Sequence, residues 1–267
     1  KIVSKGDFSV RVEEMEGDSE VAELLRNFNR MAEELGGIEL FRSDFVNDFS
    51  HEFKTPVVSI RGFARQLRDE ELPPERRREY ADIIVAESER LANMAANVLL
   101  LSKLENQRIP SGRTEYELDE QLRACAILLE KEWSTKGLDM ELDLEPVRLD
   151  GDPGLLEHLW INLIGNAVKF TPEGGRVSIS CRGRADGVEV RVSDTGIGMD
   201  EETIRRMFDR FYQGDRSRAS RGNGLGLSIA RRIVDLYVGR ISARSAPGRG
   251  TTITVVIPRL GQAAIEG

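Results

Sequence analysis

A long amphipathic stripe constrains the fold of this chain more than any other feature. Apolar side chains recur along residues 38–70 at steps of three, four and seven, which places them on one face of a helix. They are Phe41, Phe45, Phe49, Phe53, Ile60, Phe63 and Leu67. Pro73 and Pro74 then predict a turn, because proline is tolerated at the start of a helix and not inside one.

A second helix is predicted from Glu75 to Asn106. Its apolar positions follow alternating three- and four-residue steps, broken only at Glu87: Tyr80, Ile84, Leu91, Met94, Val98 and Leu101. Two such helices joined by a short turn form a helical hairpin. One hairpin cannot bury a stripe of this length, so we expect two copies to pair into a dimeric four-helix bundle, and therefore a homodimer.

His51 is the chemically distinctive residue of the first helix. At about 100° per residue it falls opposite the phenylalanines, so we expect the imidazole to be exposed to solvent. Thr55 follows by four residues on the same side. Pro56 has no N–H for the carbonyl of Glu52 and predicts a bend beside the imidazole. An exposed imidazole next to a carboxylate suits phosphoryl acceptance, whereas a solvated surface histidine is the alternative for a lone His.

Composition narrows the class of protein. With 267 residues, the chain is long enough for two domains, and its net charge of -8 argues against nucleic-acid binding. Cys125 and Cys181 lie inside helical and strand patterns, which indicates a reducing compartment and no disulfide. No apolar run approaches the roughly 20 residues of a membrane span. Because the chain begins at Lys1 and mid-pattern, we expect it to be an interior piece of a longer protein.

In the second half of the chain, the spacing of the apolar residues changes from helical only to a mixture of helical and strand-like. Helices are predicted at 118–136, 153–170, near 200–211 and near 226–237, with strands at 177–181, 188–192, 241–243 and 253–257. This mixture predicts an α/β layer domain with helices against one face of a sheet. The two halves are joined by a linker near 107–113.

The helix predicted at 153–170 carries two amides and a cation on one stripe. His158, Asn162, Asn166 and Lys169 share that stripe, opposite the apolar Leu156, Trp160, Leu163 and Ala167. Amide oxygens shared with phosphates suit hydrated Mg²⁺, which prefers oxygen ligands. A polar face exposed to solvent is the alternative.

Two glycine-rich segments follow. In Asp194-Thr-Gly-Ile-Gly198, an aspartate at a strand end can accept a hydrogen bond from an exocyclic amine, although ordinary turns share this composition. Gly222-Asn-Gly-Leu-Gly226 runs into a helix, where backbone N–H groups can cradle phosphate. Its spacing is neither that of a P-loop nor that of a dinucleotide-binding fold. The polar, basic segment 213–222 between these motifs predicts a mobile lid or a merely disordered loop.

Together these motifs resemble the cytoplasmic half of a sensor histidine kinase of a bacterial two-component system. The segment beginning at His51 resembles the family's H box, with Phe53 where leucine is usual. Asn162 to Pro172 resembles the N box, the two glycine segments resemble the two glycine boxes, and Phe208-Asp-Arg-Phe-Tyr212 between them resembles the F box. The resemblance implies a helical hairpin followed by an α/β sandwich ATP-binding domain with a mixed sheet.

The resemblance also implies roles for individual residues. His51 would be the phosphoacceptor, Glu52 would polarise its other ring nitrogen, and Thr55 would orient a water for dephosphorylation of the partner. Asn166 with Asn162 would hold Mg²⁺. The ATP-binding residues would be Asn162, Asn166, Lys169, Phe170, Asp194, Gly196, Gly198, Arg210, Gly222, Gly224, Leu225, Gly226 and Leu227.

The same resemblance implies a domain order. Residues 1–37 would be the C-terminal part of a HAMP module, 38–108 the phosphotransfer hairpin, 109–113 a linker, 114–260 the ATP-binding domain and 261–267 a tail. The parent protein would be anchored in the bacterial cell membrane, with this portion in the cytoplasm. Its partner would be the receiver domain of a response regulator, and the linker would flex during autophosphorylation.

Two alternatives share part of this pattern. ATPases of the wider superfamily, such as heat-shock chaperones or mismatch-repair proteins, share the asparagine helix and the glycine boxes but lack the H-box hairpin. They would also need a glutamate base in the asparagine helix, and Glu157 stands five residues before Asn162, where the geometry is wrong. A degenerate kinase that acts only as an adaptor is disfavoured by intact Asn166, Asp194 and glycines.

Overall fold

A computed structural model describes residues 12, 25, 28–29, 47–69, 71–107, 110, 112–214 and 223–259. Most of the predicted HAMP segment, the start of the first helix, most of the lid and the C-terminal tail lie outside these residues. The chain divides into two compact units, Lys1–Glu87 and Ser88–Gly267. Across the described residues, each helix is too short or too polar to cross a membrane.

The first unit contains the helical hairpin. Helix α1 is continuous over 47–66 within the described residues, and helix α2 begins at Pro74. The turn between them is held by Arg77, whose guanidinium donates to the carbonyls of Leu67 at 3.4 Å and Asp69 at 3.2 Å. The rings of Phe63 and Tyr80 pack across the hairpin with centroids 5.1 Å apart. The predicted hairpin is therefore confirmed, with α1 ending four residues before 70.

The remaining elements follow in chain order. Helix α2 spans Pro74–Asn106, and it is followed by β1 (Thr114–Glu117), α3 (Leu118–Leu128), α4 (Glu130–Thr135), β2 (Asp139–Leu144), β3 (Arg148–Gly151), α5 (Pro153–Phe170), β4 (Arg176–Arg184), β5 (Gly187–Asp194), α6 (Glu201–Arg206), α7 (Gly226–Leu236), β6 (Arg240–Ser245) and β7 (Thr251–Pro258). Strands β1 and β3 pair antiparallel as a separate two-stranded sheet.

The main sheet is mixed and has one covered face. Its order is β2-β4-β5-β7-β6, with β2 parallel to β4 and the other neighbours antiparallel. Alternate residues of the central strands are buried, as expected for a sheet packed on one side. Helices α3, α5 and α7 pack together, and α5 and α7 also contact the sheet. The predicted α/β architecture is therefore confirmed.

Several element boundaries differ from the sequence prediction. The helix predicted at 118–136 breaks at Leu129, whose φ of -93° and ψ of 11° are not helical. The helix predicted near 200–211 ends at Arg206. Strands β1, β2 and β3 were not predicted. In contrast, the bounds of α5 match the prediction residue for residue.

Candidate functional site

Helix α5 orients the amide and lysine side chains. Asp152 caps its start, with Oδ1 accepting from the backbone N–H of Gly154 at 3.0 Å and of Leu155 at 3.2 Å. The apolar face is buried and fixes the rotation of the helix, through Leu155, Leu156, Leu159, Trp160, Leu163, Ile164, Ala167 and Val168. Asn162, Asn166 and Lys169 consequently share the opposite, partly exposed face.

Lys136 holds the other end of α5. Its ammonium donates to three carbonyl oxygens, those of Val168 at 2.8 Å, Lys169 at 2.7 Å and Thr171 at 3.0 Å. The Thr171 hydroxyl also donates to the carbonyl of Ala167 at 2.6 Å. A cation at a helix C-terminus satisfies carbonyls that have no partner within the helix and interacts favourably with its dipole. The turn that carries Lys169 is therefore rigidly placed.

Asp194 ends strand β5 beside this helix. Its Oδ1 accepts from the backbone N–H groups of Gly196 at 2.8 Å and Thr251 at 3.2 Å. Burial raises the pKa of the Asp194 carboxyl, and these two hydrogen bonds oppose the rise. One carboxylate oxygen is thus fixed by backbone, which holds the whole group in a single orientation.

The first glycine loop, residues 194–199, is clamped between α5 and the turn before β7. The N–H of Ile197 donates to the carbonyl of Phe170 at 3.3 Å. Gly198 has a φ of +66°, and a Cβ there would lie 1.9 Å from the carbonyl oxygen of Ala246. Only glycine fits this position, so the motif predicted at Gly198 is required by the fold itself.

The second glycine segment opens helix α7 against the middle of α5. A Cβ on Gly226 would lie 2.6 Å from Oδ1 of Asn162, which explains the absence of a side chain. Leu225 is fully buried at the N-cap of α7, and Gly224 packs on the backbone of Phe211 in the F box. Gly222 lies outside the described residues.

Asn166 and Lys169 lie on α5 between its two contacts with the glycine segments. Asn162 donates its amide to the carbonyl of His158 at 2.8 Å, whereas the Asn166 side chain makes no hydrogen bond to the described residues. The pKa of Lys169 is lowered, first by burial and then by the nearby charge of Arg90. Burial and a neighbouring cation both disfavour the charged form of Lys169, so a bound anion would stabilise it.

These groups fit a nucleoside triphosphate with Mg²⁺. A fixed carboxylate stands at one end of α5, backbone N–H groups of a helix start lie against its middle, and an amide and a lysine lie between. The carboxylate can accept from an amine, and helix N-terminal N–H groups with a lysine can bind phosphates. Amide oxygens of Asn162 and Asn166 are of the kind that Mg²⁺ shares with phosphate.

The end of helix α2 contacts helix α7 and the F box, which both adjoin the candidate nucleotide site. The sequence did not predict these contacts. Arg232 of α7 donates to the carbonyl of Leu104 at 2.9 and 3.1 Å and to that of Gln107 at 3.1 Å. Arg210 of the F box forms an ion pair with Glu105. Arg232 thus caps the C-terminal turn of α2 by binding its carbonyls, and Arg210 neutralises the charge of Glu105 on that turn.

The phosphoacceptor candidate lies on the exposed side of α1, as predicted. His51 is exposed and Glu52 half-buried in the chain, and the hydroxyl of Thr55 donates weakly to the carbonyl of His51 at 3.4 Å. The rings of Phe49 and Phe53 pair on another side, with centroids 5.5 Å apart. The bend predicted at Pro56 does not interrupt the helix, which remains continuous through that residue.

Comparison with protein-family models matches three domains in order. The HAMP domain matches residues 1–37 and the His Kinase A (phospho-acceptor) domain matches 41–107. The Histidine kinase-, DNA gyrase B-, and HSP90-like ATPase matches 151–261. Strands β1 and β2 and helix α3 precede that last match, although β2 belongs to the same sheet. The domain boundaries given above stay predictions.

Curated relatives are sensor kinases. The chain is 35% identical over 230 residues to the sensor-like histidine kinase SenX3 of Mycobacterium tuberculosis, covering 85% of this chain and 56% of the relative. It is 30% identical over 261 residues to the signal transduction histidine-protein kinase BaeS of Escherichia coli, covering 96% and 55%. The chain therefore spans about half the length of these relatives.

Solved structures of histidine kinases share the fold. Full-length ShkA in complex with AMPPNP is 28% identical with a TM-score of 0.60, covering 80% of this chain and 45% of that one. Histidine kinase ThkA in complex with response regulator protein TrrA is 25% identical with a TM-score of 0.67, covering 81% and 61%. Fold, site and matched domains define a kinase-type ATP-binding domain joined to a phosphoacceptor hairpin. The chain belongs to the sensor histidine kinases of bacterial two-component systems.

Proposed function

We propose that the chain is the cytoplasmic signalling part of a membrane-anchored sensor kinase. It transfers the γ-phosphate of ATP to His51, and from there to an aspartate of a response regulator. The observation that carries this proposal is the combination of an exposed histidine on a hairpin with the Asp194, Asn166 and Lys169 constellation in one chain. The HAMP match and the sensor relatives support the membrane anchor of the parent protein.

In the nucleotide site, each group has a separate task. Asp194 accepts from the adenine amine, and Lys169 contacts the phosphates together with N–H groups of the second glycine segment. Asn166 and Asn162 would hold Mg²⁺, which would neutralise part of the charge of the phosphates. The other residues proposed to contact the nucleotide are Phe170, Gly196, Gly198, Arg210, Gly224, Leu225, Gly226 and Leu227. Gly222, which lies outside the described residues, stays a prediction from the sequence.

At His51 the reaction is an in-line displacement. The unprotonated ring nitrogen forms a bond to the γ-phosphorus as the bond from that phosphorus to the bridging oxygen of ADP breaks. Glu52 accepts from the other ring N–H and stabilises the charge that the imidazole gains. The resulting phosphoramidate passes its phosphoryl group to an aspartate carboxylate, and the imidazole is regenerated. Positioning and charge neutralisation supply the catalysis.

A homodimer completes the hairpin. Several large apolar side chains of α1 and α2 are exposed in the single chain. They are Phe53 (38% exposed), Val57 (41%), Val58 (45%), Val85 (56%) and Leu99 (72%). A second copy, packed as a four-helix bundle, would bury such a stripe.

The proposed activity is tested by incubating the chain with γ-labelled ATP and Mg²⁺. Label on the protein that is lost in acid and kept in base identifies a phosphoramidate. Addition of a receiver domain should then move the label to that domain. The ThkA complex with a response regulator supports a receiver domain as the partner. A chain that binds ATP and takes up no label would contradict the proposal.

We expect Thr55→Ala to spare autophosphorylation and to slow partner dephosphorylation by about tenfold or more, because a water oriented by the hydroxyl would be lost. In the structure Thr55 is exposed, and its bond of 3.4 Å to the His51 carbonyl is weak enough to exchange for water. The measurement is the decay of a phosphorylated receiver domain mixed with each variant. Thr55→Ser, which keeps the hydroxyl, is the matched control. Dephosphorylation at the wild-type rate in Thr55→Ala would exclude this role.

We expect Glu105→Ala to strengthen nucleotide binding about two- to fivefold, a range set by the modest energy of a partly exposed ion pair. Arg210 pairs with Glu105 in this structure, so removal of the carboxylate removes one group that competes with phosphates for the guanidinium. The measurement is ATP affinity by isothermal titration. Glu89→Ala changes an exposed glutamate elsewhere on α2 and serves as the control. Unchanged or weaker binding in Glu105→Ala alone would contradict competition for Arg210.

A further inference from the structure

The hydroxyl of Ser245, at the end of strand β6, joins three backbone segments around the first glycine loop. Its Oγ accepts from the N–H of Met199 at 2.8 Å, which fixes the end of that loop. It donates to the carbonyl of Gly250 at 2.8 Å and lies 2.9 Å from Oγ1 of Thr251. No sequence motif singled out this serine.

The direction of each hydrogen bond at Ser245 follows from a count of protons. The Gly250 carbonyl can only accept, so the single hydroxyl proton of Ser245 lies in that bond. The contact of 2.9 Å between the two hydroxyl oxygens then requires the proton of Thr251. Ser245 Oγ thereby donates one bond and accepts two, which is its full capacity. The proton of the Thr251 hydroxyl is used in this bond, so Thr251 Oγ1 can only accept a further hydrogen bond.

Thr251 lies beside the carboxylate that is proposed to recognise the base. It stands directly opposite Asp194 in the β5–β7 ladder, so the two side chains share one face of the sheet. Its backbone N–H donates to Asp194 Oδ1 at 3.2 Å. The pair therefore presents acceptors to a ligand. An amine placed there can donate to these acceptors, whereas a carbonyl oxygen is repelled by them.

We propose that Ser245 is a positioning residue that sets the base preference of the nucleotide site. By holding the Thr251 hydroxyl as an acceptor, Ser245 favours a purine with a 6-amino group over a purine with a 6-oxo group. This inference rests on the proposed function, because it concerns the base of the nucleotide bound there. Without the serine hydroxyl, Thr251 can rotate and donate to a 6-oxo oxygen, so the preference weakens.

The test compares the affinities of the chain for ATP and for inosine triphosphate. Both are measured by displacement of a fluorescent ATP analogue from the wild type, Ser245→Ala and Ser193→Ala. Ser193 forms a hydroxyl pair of the same kind with Thr252 at 2.9 Å on neighbouring strands, so it is the matched control. We expect Ser245→Ala to lower the ratio of ATP to inosine triphosphate affinity about three- to tenfold, the worth of one hydrogen bond. Ser193→Ala should keep the wild-type ratio.

The ratio separates positioning from folding, since a fraction of unfolded protein affects both nucleotides equally. A wild-type ratio in Ser245→Ala, or an equal fall in both variants, would overturn the inference and leave the proposed function intact. A wild-type chain that binds both nucleotides equally would do the same. A wild-type chain that binds neither would overturn the proposed function and the inference together.

Discussion

His51→Gln is expected to reduce acid-labile labelling from γ-labelled ATP to background while ATP affinity stays within about twofold. The amide of glutamine has no nucleophilic lone pair comparable to that of imidazole, so the phosphorus–nitrogen bond cannot form. His51 is exposed on α1, and its replacement leaves no buried cavity, so the hairpin should fold normally. The measurement is retained label after gel electrophoresis, with and without acid treatment.

The chain offers an internal control for this experiment. It contains two histidines, and the second, His158, is exposed on helix α5 at the edge of the nucleotide-type site. His158→Gln should keep its label, because that residue has no proposed part in the transfer. Label kept in His51→Gln and lost in His158→Gln would move the acceptor to α5. Label kept in both variants would contradict His51 as the sole acceptor.

The elements that sequence predicts well are those whose signal is local. Helix α5 has a proline at its first turn, an aspartate cap and a continuous apolar face, and both of its ends were predicted correctly. Gly198 was predicted as part of a glycine-rich motif, and the structure adds the reason for glycine, a φ of +66° together with the nearby carbonyl oxygen of Ala246. The side of α1 on which Phe49 and Phe53 lie likewise follows from helical spacing alone, which is why the exposure of His51 could be predicted.

What sequence could not supply is set by contacts between distant residues. Strand β2 alternates Met140, Leu142 and Leu144 with acidic residues, but its partner in parallel pairing is β4, across helix α5. Arg232 donates to carbonyls at and just after the end of α2, which lie 125 and 128 positions away in the sequence. Ser245 and Met199 are 46 residues apart. Such polar contacts carry no periodic signal, because each depends on the folded sheet and helices for its geometry.

Substitution of Asp194 is expected to have the second large effect, a loss of ATP binding. Asp194→Asn is expected to weaken ATP binding about 100-fold or more, because an amide N–H₂ would face the adenine amine with no acceptor between them. The remaining side-chain oxygen can still accept from the N–H groups of Gly196 and Thr251, so the loop geometry is retained. Isothermal titration with ATP measures the loss. Asp186→Asn changes an exposed carboxylate in the β4–β5 turn and should bind like the wild type.

The pKa of Asp194 separates this loss of binding from a loss of folding. Burial raises the pKa of the Asp194 carboxyl above its usual value, so the folded state favours the neutral form. For an acid shifted in this direction, the contribution to stability is full below the unfolded pKa and is lost as the pH rises through the folded pKa. At pH 7 the ionised carboxylate therefore costs stability, and the neutral asparagine should melt at the wild-type temperature or above it. Thermal unfolding at pH 7 checks this sign. Asp194→Asn that binds ATP like the wild type would remove Asp194 from base recognition, whereas a clearly lowered melting temperature would assign it a structural role instead.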